Sequence, residues 1–585
     1  MAMAAVSRPF AFCFECEIRE TPQNWQQGAE GVVALASFTH WRMREVTCKR
    51  RETAQMKFSH EALYRSRRSP ILARNVVSTS QPLATQAGLE ILHAGGNAMD
   101  AALASAMALV VVEPTSNGLG SDAFCIVWDG GKLLGLNASG RAPAAWTPSR
   151  FAGRTAMPQR GWDSVTVPGA ISAWVELSTK FGRLPFERLF EPAIRYATRG
   201  FHVSPVIAEQ WRKAAGNLHA QPGFAEAFLP DGRAPRAGEL FSSQPLARSL
   251  QMIAETRGEA FYRGELAQRI ADFAKQGGAA LTTDDLANHQ LDWCGTIHKS
   301  FGDSALHEIP PNGQGIAACM ALGILRHLDI EEHAPDSPQS FHLQIEAMKL
   351  AFADINAYVA DPRFMTDVTQ THLLDDAYLA SRAKLIDRHK AKDFGAGAPG
   401  GSGTVCLASA DEEGMMVSYI QSNFSGFGSG VVVPGTAIAL QNRAYGFSLQ
   451  PGHPNEVGGG KRPFHTIIPG FVTKGGDAQM AFCLMGGQMQ AQGHLQMFLR
   501  TQLWNQDPQT AVDAPRWRIL DVMTVMIETA SGAKLAADLA ARGHDIKPEV
   551  YEGESSFGGA QLVHRIAGGY VAGSDPRKDG QAAGF

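Results

Sequence analysis

Apolar residues recur along this chain with two different periods, and the change from one to the other divides it. From Thr85 to His93 the spacing is helical, and Gly95 supplies the usual stop. Asp100 to Val111 is apolar on every side, which predicts a helix buried all round. Ala123 to Trp128 and Lys132 to Ala138 flank the turn Asp129-Gly130-Gly131 and predict a hairpin. Residues 160 to 390 are mainly helical, with amphipathic runs such as Ser340 to Tyr358. Beyond Thr404 the period shortens to that of strands: Thr404 to Ala410, Met415 to Gln421, Ala437 to Leu440, Ile467 to Val472 and Ala478 to Leu484. A helix begins near Gln488, behind the pair Gly486-Gly487. Helices outside stacked antiparallel sheets bury such a set of elements, so the expected fold is α+β, an αββα sandwich.

Composition changes this picture little. A chain of 585 residues exceeds one normal core. Its 44% hydrophobic and 19% charged residues are ordinary for a soluble protein. A net charge of -4 gives no basic footprint, so nucleic acid is not an expected partner. The apolar run near Ala101 to Val112 is shorter than the ~20 residues a membrane span needs. The spaced cysteines from Cys125 onward read as buried free thiols, and Cys13 with Cys16 lacks the second pair or histidine of a zinc site. No metal or organic cofactor is indicated. The first residues hold no sustained apolar core or small-residue cleavage site, which predicts a cytoplasmic protein. Residues 1–55 look unlike a domain. A wrongly assigned start is expected, with translation beginning at Met56 just after Arg50-Arg51-Glu52, codons for which can be purine-rich like a ribosome-binding site.

The chemistry concentrates at Thr404. The Gly/Ala/Pro-rich segment from Asp393 to Gly403 is an exposed, cuttable loop by composition. It leads into a strand whose first residue carries a hydroxyl. A chain that cuts itself there would expose a threonine holding both a nucleophile and an α-amine to deprotonate it. The amine suits that role because its unperturbed pKa lies near ~8. A threonine opening a strand is common, so the pattern by itself does not establish the mechanism.

An ordered series of motifs adds to it. Pro82-Leu83-Ala84, Gly88-Leu89-Glu90-Ile91-Leu92 and Gly95-Gly96-Asn97-Ala98-Met99-Asp100-Ala101-Ala102 are followed by Glu113-Pro114, Gly118 to Ser121 and Arg141-Ala142-Pro143. Val167-Pro168-Gly169, Lys461-Arg462-Pro463, Asp513-Ala514-Pro515-Arg516 and Gly573-Ser574-Asp575-Pro576-Arg577 continue it. From about residue 70 to 585 the chain resembles the γ-glutamyltranspeptidase family. That resemblance implies the N-terminal-nucleophile hydrolase fold and self-cleavage between Gly403 and Thr404. The products would be a large chain, 56–403, and a small chain, 404–585, that stay associated and pair further as a dimer of heterodimers. It also implies roles for Thr404 as nucleophile, Ser422 as its hydrogen-bond partner and Gly486-Gly487 as oxyanion hole. The structural alternatives are a polar strand end for Ser422 and a plain turn for the glycines.

The substrate-binding positions depart from the family. The arginine that clamps an α-carboxylate is replaced by Ser139, with Arg141 two residues on. The acidic partner of an α-amino group is replaced by Gly446, and an asparagine by Phe424 with Asn423 adjacent. A serine pair is replaced by His465 and Thr466. A small anion pocket of Arg141, His465 and Arg443, helped by Asn423, is the expected substitute. Structural ion pairs are the alternative for the arginines, and a satisfied buried imidazole for His465. These departures resemble the branch that includes oxamate amidohydrolase, implying hydrolysis of a small carboxylate-bearing amide, oxamate first. A γ-glutamyl hydrolase or transpeptidase acting on glutathione is the alternative. A cephalosporin-type acylase and a non-catalytic member follow.

Overall fold

The computed structural model describes residues 68–395, 404–549 and 557–585. Residues 1–55, the start at Met56, and Gly403 with most of the loop before it lie outside the described residues.

Two seven-stranded sheets form the centre. The first runs in space Gln581–Gly584, Val76–Thr79, Val405–Ala410, Met416–Ser422, Asp122–Trp128, Leu133–Asn137, Asp292–Trp293. The second runs Ile71–Ala73, Gly569–Ser574, Gly559–Ile566, Asp477–Met485, Pro469–Lys474, Ser304–Glu308, Ile297–Phe301. All neighbours pair antiparallel. Successive side chains point to opposite faces, so each strand serves two cores. Phe124, Ile126, Cys406, Ala408 and Ile420 meet Phe471, Ala481, Cys483 and Val563 between the sheets. Cys125, Val127, Leu407, Val417 and Tyr419 pack the other way, with helices Ala98–Val112 and Ala170–Phe181. On the far side Val472, Met480, Phe482 and Leu484 pack with helices Gly315–Leu325, Pro338–Tyr358 and Met489–Phe498. Four layers in the order helix, sheet, sheet, helix result, the expected αββα sandwich.

The helix Ala98–Val112 is buried along its whole length. Asn97 and Asp100 form a capping box at its start, and Asp411 Oδ2 accepts from Ala98 N–H at 2.8 Å. A carboxylate there complements the helix dipole and ties down the turn after the strand Val405–Ala410. Two family-like motifs meet in a buried lattice, with Asp575 accepting from Arg516 at 2.6 Å and Arg577 at 3.1 Å. Their place is structural, holding the C-terminal strands.

Two expected strands differ. Of Ala437 to Leu440 only Ile438–Ala439 is strand, paired with Val432–Val433 in a separate ribbon. The strand expected from Ile467 begins at Pro469, because the backbone before it turns inward: His465 N–H donates to Asn312 O and Ile468 N–H to Gln490 Oε1. Cys125, Cys319, Cys406 and Cys483 are buried free thiols and Cys294 is half-buried. Among the described residues no helix is long and apolar enough to cross a membrane.

Candidate functional site

Thr404 stands at the start of a central strand and is buried. The register pairs Val405 with Gln421, which brings Ser422 alongside Thr404. Thr404 Oγ1 donates to Ser422 Oγ at 3.1 Å, and Ser422 Oγ accepts from Phe424 N–H at 2.8 Å. From another side Gln490 Nε2 reaches Thr404 Oγ1 at 3.5 Å. Gln490 was not anticipated from sequence; its one signal there is a place three residues beyond Gly487. Gly486 and Gly487 join the strand Asp477–Met485 to the helix Met489–Phe498. Their φ values of 132° and 62° lie where a side chain is disfavoured, which explains the glycine pair. The Gly487 carbonyl accepts from Gln314 Nε2 at 2.8 Å and from Gln490 N–H at 3.1 Å. Among the described residues no backbone or side-chain acceptor is recorded for either glycine N–H.

A cavity of about 490 Å³ opens beside these groups, walled by Phe424, two residues past Ser422, and by Gln488, next after Gly487. Met157, Tyr445, Phe447, Leu449 and Phe464 are among its apolar walls, and Arg154, Thr155, Arg443 and Thr466 among its polar ones. Arg443 is buried, donates from Nη1 to Thr466 Oγ1 at 2.9 Å, and lies over the Phe424 ring at 4.8 Å. Its Nε and Nη2 have no hydrogen-bond partner among the described residues. Burial lowers its pKa to about 9, with the nearby Asp122 acting against that shift, so the guanidinium is charged at neutral pH.

A model of the γ-glutamyltranspeptidase family matches residues 84–585. The chain belongs to that family. Like its other members, this γ-glutamyltranspeptidase-family protein is an N-terminal-nucleophile hydrolase. It is 35% identical over 530 residues to the glutathione hydrolase-like YwrD proenzyme of Bacillus subtilis, covering 88% of this chain and 100% of that one. It is 35% identical over 517 residues to the oxamate amidohydrolase proenzyme of Klebsiella pneumoniae, covering 86% and 97%. Cephalosporin acylase from Bacillus halodurans superposes with a TM-score of 0.86 at 46% identity, covering 91% of this chain and 99% of that one.

Within this family member the four expected substrate residues separate. Only Arg443 walls the cavity. Arg141 bonds Asp361 at 3.2 Å and lines a different cavity, of about 340 Å³, with Asp285 and His289. Asp361 also accepts from Arg363 and from Arg462 N–H, so Arg141 belongs to an ion-pair cluster rather than to an anion pocket beside Thr404. His465 is buried with both ring nitrogens engaged: Nε2 bonds Asp122 at 3.2 Å and Nδ1 accepts from Ile467 N–H at 3.3 Å. Burial drives its pKa well down, and the neutral ring steadies Asp122 instead of meeting a substrate. Asp122 sits opposite Ser422 in the sheet and also accepts from Gly140 and Gly169 N–H. Burial nonetheless raises its pKa to about 7. Asn423 is buried, with Oδ1 accepting from Ser121 Oγ at 2.8 Å, and it does not wall the cavity.

Ser139, where the family has its clamp, is buried and bonded to Asn137 and Asn312. At Gly446 a Cβ would come within 2.4 Å of the Phe464 carbonyl oxygen, so the present backbone admits no acidic side chain there. Elsewhere His342, Glu346 and His544 converge closely enough to bind a metal. Lys349 Nζ already supplies a cation, bonding Glu346 at 2.8 Å and His544 Nδ1 at 3.5 Å. His342 completes the chain by bonding His544 and the Asp387 carbonyl.

Proposed function

We propose that this protein is a self-processing amidohydrolase that cleaves amides whose acyl group ends in a carboxylate, with Arg443 holding that carboxylate. Arg443 carries the reading: a buried guanidinium with two nitrogens unpartnered among the described residues, in the wall of the cavity beside Thr404, calls for an anion. Oxamate is the shortest such substrate. A volume of about 490 Å³ and walls of Phe424, Phe447 and Phe464 also suit a longer or aromatic amide, as a ligand-sized pocket does. The likeness to a cephalosporin acylase supports the larger substrate. A γ-glutamyl group is disfavoured, because its α-ammonium finds no carboxylate at Gly446.

Cleavage before Thr404 would free its α-amine, yielding chains 56–403 and 404–585. Strands from both sides of that bond pair with one another in the first sheet, which would keep the two chains together. The amine takes the Thr404 hydroxyl proton as Oγ attacks the substrate carbonyl. The Gly486 and Gly487 N–H groups hold the oxyanion, worth about 3 kcal/mol each for such donors. The proton then passes to the leaving amine, an ester remains on Oγ, and water activated by the same α-amine hydrolyses it. Ser422 accepts from the Thr404 hydroxyl at rest and so holds it in place before attack. A cytoplasmic site of action and pairing into a dimer of heterodimers belong to the same proposal.

The test is a substrate panel of oxamate, a glutaryl anilide and a γ-glutamyl anilide, run on wild type and Thr404→Ala. Turnover of the first two above the third, with an inert and uncleaved Thr404→Ala, is expected. Preference for the γ-glutamyl compound, or cleavage of the variant at the same bond, overturns the proposal.

A further inference from the structure

Gln490 occupies a position that neither the sequence nor the family resemblance assigned a task. It is buried in the first turn of the helix Met489–Phe498. Its Oε1 accepts from Ile468 N–H at 3.0 Å, which fixes the orientation of the amide. The amide nitrogen is therefore turned to Thr404 Oγ1, at 3.5 Å. Thr404 Oγ1 in turn donates to Ser422. The oxygen thus gives its own hydrogen to one neighbour and faces an N–H of another.

We propose that Gln490 is a catalytic residue whose side-chain N–H stabilises Thr404 Oγ as a leaving group. This rests on the reading of Thr404 as nucleophile. In self-processing, Oγ attacks the Gly403 carbonyl, its proton passes to the Thr404 nitrogen and the C–N bond breaks, giving an ester with a free α-amine. Water then adds to the ester carbon and loses a proton to that amine. The C–Oγ bond breaks, the Gly403 carboxylic acid departs, and the amine's proton returns to Oγ. Negative charge builds on Oγ in that last step, and a fixed N–H pointing at it lowers the barrier. The contact is long in the resting chain, as catalytic hydrogen bonds often are before the charge forms. The same departure ends each substrate cycle. Gln490 therefore acts on ester breakdown, whereas Gly486 and Gly487 act on the carbonyl oxygen.

Self-processing is the readout that needs no assigned substrate. Freshly purified precursor is followed by gel, with hydroxylamine added to cut any Gly403–Thr404 ester. Gln490→Met removes the donor, and Gln490→Glu keeps an oxygen for Ile468 N–H while replacing the nitrogen that faces Oγ. Both variants are expected to process at least tenfold more slowly than wild type and to accumulate hydroxylamine-cleavable ester. The deficit of Gln490→Glu should shrink as pH falls and its protonated acid regains a donor. If Gln490 only anchors Ile468, Gln490→Glu will process like wild type, and that result overturns the inference. Slow processing of both variants without trapped ester overturns it as well. Thr404→Ala keeps the two failures apart: normal cleavage of that variant removes the nucleophile reading, whereas an inert Thr404→Ala beside a fully active Gln490→Met removes the role of Gln490 alone.

Discussion

The sequence puts Arg141 ahead of Arg443 as the partner of a carboxylate, and the surroundings of the two differ in kind. Arg141 keeps part of its side chain in solvent and shares Asp361 with Arg363 and a backbone N–H, so its charge is answered within the protein. Arg443 is buried, its Nη1 bonded to a neutral hydroxyl and its Nε and Nη2 to nothing among the described residues. Taking a guanidinium out of water without filling its donors costs stability, and such groups persist where a ligand completes them. An anion clamp is thus marked by the unmet need of the cation, not by the presence of one. The nearby Asp122 fits that account, because its oxygens are already committed to Gly140, Gly169 and His465.

The sharpest way to break the contrast is Arg443→Met. Removing a buried charged donor set should lower kcat/KM for a carboxylate-bearing amide by about a hundredfold or more, on the order of 3 kcal/mol. The fold should survive with an unchanged or raised Tm, since an apolar side chain replaces a buried, partly unsatisfied ion. The pH profile gives the same residue a second signature. Burial depresses its pKa to about 9, so the charge is present below that pH and lost above it. Wild-type kcat/KM should rise as the α-amine deprotonates near ~8 and fall again above about 9, and the falling limb should be missing in Arg443→Met. A variant with normal turnover and an unaltered alkaline limb would remove Arg443 from the site.

A smaller effect is expected at Gly446, where the question is whether γ-glutamyl recognition could be restored. Gly446→Asp supplies the missing carboxylate on paper, but its Cβ would stand 2.4 Å from the Phe464 carbonyl oxygen. Relieving that clash should cost about 1–3 kcal/mol, read as a lower Tm, with no gain on a γ-glutamyl anilide. Gain of γ-glutamyl turnover without loss of Tm would show that the backbone yields and that specificity is one residue deep.

The sandwich was legible because its central elements carry strong periods: Ala98–Val112 and the strands around Thr404 came out within two residues of their observed bounds. The outer strands, such as Ile71–Ala73 and Ile297–Phe301, are short or interrupted, and their sheet membership depends on partners far along the chain. Within the proposed site, the placement of Thr404 at a strand start and of Gly486-Gly487 at a strand-to-helix junction was legible because both follow from residue type and backbone, the glycines taking two positive φ angles. What separates Arg443 from Arg141 and His465, and the contacts of Gln490, was not legible, because it depends on which polar atoms remain unpaired after folding. Sequence order places His465 beside Thr466, yet only Thr466 reaches the cavity, since the imidazole turns inward to Asp122.

The smallest expected effect is at Arg141, and it is the control that gives the comparison its meaning. Arg141→Ala leaves Asp361 with Arg363 on both oxygens and with the Arg462 N–H, so the remaining carboxylate stays paired. The lost bridge is partly exposed, and pairs of that kind contribute about 0–1 kcal/mol. The variant should therefore process normally, lose little Tm, and keep kcat/KM for carboxylate-bearing amides within a few-fold of wild type. Its response to salt should be slight for the same reason. A loss at Arg141→Ala as large as that at Arg443→Met, appearing in KM with Tm unchanged, would mean that the Arg141 cavity also meets the substrate. The contrast between a satisfied and an unsatisfied arginine would then have no bearing on where the carboxylate binds.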